Sequence, residues 1–114
     1  MYSLAVYVPE QALDEVKQAL FAAGAGSIGN YDRCCWQVLG MGQFRALEGS
    51  DPTIGEQNKM TQVAEYRLEM VLDESVVKTV LKALYESHPY EEPAFHLVKT
   101  EYYKKILDDG LDKV

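Results

Sequence analysis

The sequence predicts an α+β domain, an α/β sandwich of ferredoxin-like βαββαβ order whose antiparallel sheet carries two helices on one face. Three observations predict it. The stretch YSLAVYVP (2–9) is apolar on both of its faces, as a strand central in a sheet would be. The stretch EYRLEMVL (65–72) alternates between apolar and charged residues, the pattern of a strand with one wet face. Each is followed by a segment whose apolar residues recur at helical period.

The elements follow in order. Tyr2, Leu4, Val6 and Val8 share one face of the first strand, and Ser3, Ala5 and Tyr7 share the other. Pro9 stops this strand, and Glu10 suits the electropositive first turn of a helix. Leu13, Val16, Ala19, Leu20 and Ala23 form that helix's apolar stripe, and GAG (24–26) ends it. RCCWQVLGMGQFRAL (33–47) is rich in strand formers but interrupted by Gly40 and Gly42. It reads either as two short strands, 32–39 and 41–47, or as one strand kinked at the glycines.

EGSDPTIGEQNK (48–59) is a long polar loop. From 61 onward a strand places Tyr66, Leu68, Met70 and Leu72 inward and Glu65, Arg67 and Glu69 outward. Asp73 is placed to cap the second helix, in which Val77, Val80, Leu81 and Leu84 form the buried stripe. Pro89 disfavours a helical conformation at His88, so this helix ends near Ser87. A last strand is expected from Pro93 to Tyr102. The division expected is a domain over 1–102 and a tail over 103–114, with the tail forming a short helix on the domain or on a neighbour.

Composition narrows the classes of function. The chain has 114 residues, enough for one domain with its own core. Its net charge of −7 repels phosphate backbones and anionic lipid, so neither nucleic acid nor membrane is an expected partner. No apolar run approaches the roughly 18–20 residues of a membrane span. The start, MYSLAVYVPE, lacks the basic and small-residue features of a signal peptide, and the expected location is cytoplasmic. Cys34 and Cys35 would point to opposite faces of a strand and so are read as free thiols. No serine or cysteine lies near a histidine in a recognisable nucleophile motif. A sheet with helices on one face leaves the other uncovered. Tyr7, Trp36, Phe44, Tyr102 and Tyr103 are the residues left to line an interface, so a homo-oligomer is expected.

Three polar segments carry the candidate chemistry. GSIGNY (26–31) is glycine-rich and reads either as a helix stop followed by a turn or as backbone N–H groups offered to an anion. EGSDPTIGE (48–56) is long for a compact domain. HPYEEP (88–93) gathers His88, Glu91 and Glu92 between prolines. It reads either as metal ligands or an acid–base group, or as a rigid corner with solvated glutamates and Tyr90 packed on the sheet end. Glu92 and His96 would share a strand face if the last strand starts early enough, and a carboxylate beside His88 would favour its protonated form. The loops after the two helices are expected at the same end of the sheet, which would let 26–31 approach 88–93.

Together, GAGSIGNYDRC, the glycine-spaced G.G.F, EGSDPTIGE, E.R.E and ALYESHPYEEPAF form an ordered set. Over residues 2–98 this set resembles the domain inserted in bacterial Nif-three-like proteins, relatives of the Ngg-interacting factor. The resemblance implies a PII/CutA-like fold and, since PII and CutA proteins form trimers, a trimeric assembly. In the larger proteins a di-metal centre lies in flanking halves whose residues are not in this sequence, so the hydrolase label of the family does not pass to the residues here. The family's shared loop positions correspond here to Gly26, Ile28, Gly29, Asn30 and Tyr31; to Glu48, Gly49, Pro52, Ile54 and Gly55; and to His88, Pro89, Tyr90, Glu91 and Glu92. His96 stands where relatives often carry an acid. The expectation is a non-catalytic oligomeric domain that senses a small polar ligand or a divalent metal ion. On this reading Gly26, Ile28, Gly29, Asn30, Tyr31, Glu48, Gly49, Pro52, Gly55 and Tyr90 contact the ligand, and His88, Glu91 and Glu92 would hold a metal. The alternatives are a small metal-assisted hydrolase using His88 as base, and a purely structural interaction module.

Overall fold

Residues 1–101 and 107–108 are described by a computed structural model. Strand β1 (Tyr2–Pro9) leads through a 3-10 turn (Glu10–Ala12) into helix α1 (Leu13–Ala22). Strands β2 (Trp36–Arg45) and β3 (Met60–Leu72) follow, then a 3-10 turn (Glu74–Val76), helix α2 (Val77–Ser87) and strand β4 (Phe95–Lys99). The sheet order is β2-β3-β1-β4, and every neighbouring pair is antiparallel. This is the predicted ferredoxin-like arrangement, with β1 and β3 central.

The core lies between the sheet and the helices. Leu4, Val6 and Val8 of β1 and Leu68, Met70 and Leu72 of β3 meet Val16 and Leu20 of α1 and Val80 and Leu84 of α2. Burying each such side chain contributes roughly 1.5–3 kcal/mol, which is what holds two short helices that would be marginal alone. Asp73 caps the 3-10 turn that leads into α2 rather than α2 itself, whose N-cap is Val76: its carboxylate accepts hydrogen bonds from the Ser75 backbone N–H and hydroxyl.

Several boundaries differ from expectation. Strand β2 is continuous, pairing with β3 from Trp36↔Glu69 to Arg45↔Met60 without a break at the glycines. It begins at Trp36, so Cys34 and Cys35 precede it rather than alternate within it; both are free. Strand β4 is shorter than expected and starts at Phe95, so Glu92 lies outside it and does not share a strand face with His96. The 102/103 boundary, the tail helix and the aromatic pair Tyr102 and Tyr103 fall outside the described residues.

The largest difference concerns the two ends of the sheet. Helix α1 returns the chain to the end where Tyr2 faces Leu72, and there the Gly26 N–H donates to the Val71 carbonyl at 2.8 Å. Helix α2 starts from that end and delivers the chain to the opposite one, where His88 meets the Tyr7 carbonyl. Because β1 and β3 are antiparallel, helices returning from them must exit at opposite ends. Within one chain, 26–31 and 88–93 are therefore separated by most of the length of β1, about 14 Å or more at ~3.4 Å per residue. The segment that does meet 88–93 is 48–56.

Candidate functional site

Pro89 keeps His88 extended (ψ 134°), and its N–H closes α2 by donating to the Leu84 carbonyl at 2.9 Å. The ring then turns under the sheet end and is only 6% exposed. Its Nε2 lies 2.8 Å from the Tyr7 carbonyl, and its Nδ1 accepts the Tyr90 backbone N–H at 3.1 Å. A carbonyl can only accept, and a backbone N–H can only donate. Nε2 must therefore carry the proton and Nδ1 must lack one, which makes the imidazole neutral. Burial pushes its pKa below the ordinary value, outweighing the opposing pulls of the Tyr7 carbonyl and Glu65. The carboxylate expected to keep this histidine charged is present, as Glu65, but burial wins.

Tyr90 stacks beside that ring at 4.9 Å between centroids and donates its hydroxyl to Glu65 Oε2 at 2.7 Å. Burial and the adjacent carboxylate push the Tyr90 phenol well above its usual range, so it remains a donor. Glu65 is held in turn by the shape of β2. A Cβ at Gly42 would overlap the Glu65 carboxylate, so the glycine that looked like a strand break instead makes room for a cross-strand acid.

The long loop locks onto this corner. The Asp51 N–H donates to Glu91 Oε1 at 3.0 Å, and the Thr53 hydroxyl donates to the Pro89 carbonyl at 2.7 Å. Gly49 (φ 92°) and Gly55 (φ 88°) supply the left-handed bends that fold the loop back. Pro52 and Ile54 are half-buried within it, whereas Glu48 and Glu92 are exposed. At the other end of the sheet, Ile28 and Tyr31 exchange backbone hydrogen bonds of 2.8 and 2.9 Å around Gly29 (φ 56°) and Asn30, and all four residues are exposed.

The structure thus brings together His88, Pro89, Tyr90 and Glu91 with the 48–56 loop, and leaves Gly26, Ile28, Gly29, Asn30 and Tyr31 apart from them. Both nitrogens of His88 are occupied by the main chain, Glu91 is tied to Asp51, and Glu92 faces solvent. Among the described residues no three His, Cys, Asp or Glu side chains gather as a metal ion would require. Sequence reasoning missed Glu65, Gly42 and Tyr7 as parts of this corner. The usable signal was an outward acid on β3 facing a strand with two glycines.

The face of the sheet away from the helices holds a second polar group. Arg67 donates through Nε to Glu69 at 2.8 Å and through an η nitrogen to the Tyr7 hydroxyl at 3.2 Å, with its guanidinium 5.8 Å from the Tyr7 ring centre. His96 lies against the same ring at 6.4 Å. Register places Trp36, Val38 and Val98 on this face, around the polar centre, and all three are exposed. Leu39 and Met41 project to the other side of β2, where they too are exposed.

Comparison with known proteins agrees with this fold. No protein-family model matches the chain. The periplasmic divalent cation tolerance protein CutA of Archaeoglobus fulgidus superposes over 95% of this chain and 93% of its own, with a TM-score of 0.65 at 14% identity, a likeness of fold alone. The chain is therefore a PII/CutA-like domain of ferredoxin-like fold. A Bacillus cereus protein related to NIF3 matches more closely in sequence, at 35% identity with a TM-score of 0.77, over 89% of this chain and 26% of that protein. A Bacillus subtilis protein named "GTP cyclohydrolase 1 type 2 homolog" is 46% identical over 97% of this chain and 29% of its own length. This is a NIF3-related domain, and it spans under a third of the length of these two Bacillus proteins.

Proposed function

We propose that this domain is a non-catalytic, self-associating binding module of the NIF3-related class, working as a cytoplasmic homo-oligomer. The observation that carries the reading is β2. It is a free edge strand, and it exposes Trp36 (60%), Val38, Leu39 and Met41 (67%) on both of its faces. Such a strand invites pairing or packing unless something covers it. Beyond Glu65 the sheet also narrows to β2 and β3 alone, because β1 ends there. Copies of the chain packed around their uncovered faces would bury both features, and a trimer is the assembly the family resemblance favours.

Light scattering at micromolar concentration tests this. The wild type is expected to behave as a homo-oligomer, and Trp36→Glu combined with Met41→Glu is expected to give a folded monomer. A wild type that scatters as a monomer would end the self-association part of the reading.

The non-catalytic part rests on His88, the base that a hydrolase would need. Its ring is neutral, buried and spent on two backbone groups. Glu91 serves to hold the 48–56 loop. Zinc, magnesium and manganese chlorides are accordingly expected to leave the melting temperature unchanged. A rise of several degrees that Glu91→Gln abolishes would restore the metal-binding reading. The small polar ligand remains part of the proposal. With 26–31 and 88–93 at opposite ends of a chain, a site using both would form only across subunits.

A further inference from the structure

The 26–34 segment plays no part in the corner at His88, yet it is a built loop. The Cys34 N–H donates to the Gly26 carbonyl at 2.8 Å, closing the loop against the C-terminal half of α1. Between loop and helix lies a cleft of about 160 Å³. Its apolar wall is Phe21 and Ala22, and its polar rim is Gln18, Ser27, Asp32 and Arg33.

Arg33 is the unusual member of the rim. Its φ is 54°, a left-handed conformation that glycine adopts freely and an arginine adopts at a cost. That backbone cost, at a residue that lines the cleft, singles out the Arg33 side chain. Among the described residues the guanidinium meets only the Asp32 carboxylate, at 3.0 Å, and both groups are mostly exposed. The cleft therefore offers one cation and one anion side by side, next to an aromatic wall, with an amide and a hydroxyl on the rim.

Resting on the binding-module reading, we propose that this cleft takes a small zwitterion of the free α-amino acid type. The ligand carboxylate would occupy the Arg33 fork, which suits a planar anion. Its ammonium would face Asp32, and its hydrocarbon part would lie on Phe21. A polyanion such as a nucleotide fits poorly, because Asp32 and the net charge of −7 both oppose it. The volume argues the same way: it is small beside the ~300–1,000 Å³ of pockets that hold larger organic ligands.

Titration of the full chain with each of the proteinogenic amino acids at millimolar concentration, followed by backbone amide NMR, tests the proposal. At least one is expected to shift the amides of 21–34 saturably. Arg33→Gly is the informative variant, because it removes the guanidinium while relieving the backbone. It should melt no lower than the wild type and bind at least about tenfold more weakly. No saturable shift with any amino acid, or unchanged binding by Arg33→Gly, would overturn the proposal. Light scattering on the same samples separates the two readings. An oligomer without amide shifts defeats this inference alone, and a monomer with them defeats the assembly alone.

Discussion

Gly26→Ala is expected to lower the melting temperature by about 10–20 °C, corresponding to a loss of about 2–3 kcal/mol. Two effects add. The position has φ 84°, where any L side chain is strained, and a Cβ there would stand 2.9 Å from both the Cys34 carbonyl and the Phe21 ring. Neither neighbour yields easily. The Cys34 backbone closes the loop through its bond to the Gly26 carbonyl, and Phe21 packs against the core. Gly29→Ala supplies the contrast. Its φ of 56° carries the conformational strain, but nothing lies within 4 Å of its Cβ position. It should cost only about 1–2 kcal/mol. Thermal unfolding of the two variants side by side measures the difference, and equal losses would mean that the steric contact at Gly26 is unimportant.

That contrast also marks how far the sequence could be read. Periodicity alone placed β1, β3 and both helices, because a buried stripe repeats at 2.0 or 3.6 residues whatever its neighbours are. The residue types of GAG (24–26) marked the helix stop, where Gly24 (φ 110°) follows the C-cap Ala23. Neither signal could show that Phe21 lies over Gly26, since contact across a loop has no period. Gly40 and Gly42 misled for a related reason: glycine within a strand signals a weak point until the partner strand is in register and Glu65 occupies the space. That the loops after the two helices lie at opposite ends of the sheet follows from topology. Helices that return from antiparallel strands must leave at opposite ends, a consequence of strand order that requires no side-chain detail. His88 was legible as a special residue but not as a neutral one, because its protonation follows from a carbonyl 81 positions away in the chain, that of Tyr7.

His88→Ala should be at least as damaging as the change at Gly26, with an expected loss of about 3–4 kcal/mol. The substitution leaves the Tyr7 carbonyl and the Tyr90 N–H without partners at a buried site and opens a cavity beneath Tyr90. Two further variants divide the effect. Gln retains a donor for Tyr7, and Asn retains an acceptor for Tyr90, so each should recover part of the loss. The same ring makes stability depend on pH. Its pKa in the folded chain lies below the unfolded value of 6.5, so the unfolded chain takes up the proton first as pH falls. The stabilisation from neutral His88 is therefore fully present above pH 6.5 and declines below it, at up to about 1.4 kcal/mol per pH unit, until the folded chain protonates as well. Protonation puts the ring's second hydrogen on Nδ1, where the Tyr90 N–H already points, so that bond breaks and the corner holding Glu65 and the 48–56 loop loosens. Denaturant unfolding of wild type and His88→Gln from pH 8 to pH 5 checks this. The wild type should lose stability below 6.5 while His88→Gln stays comparatively flat, and parallel curves would show that the ring is not the group that titrates.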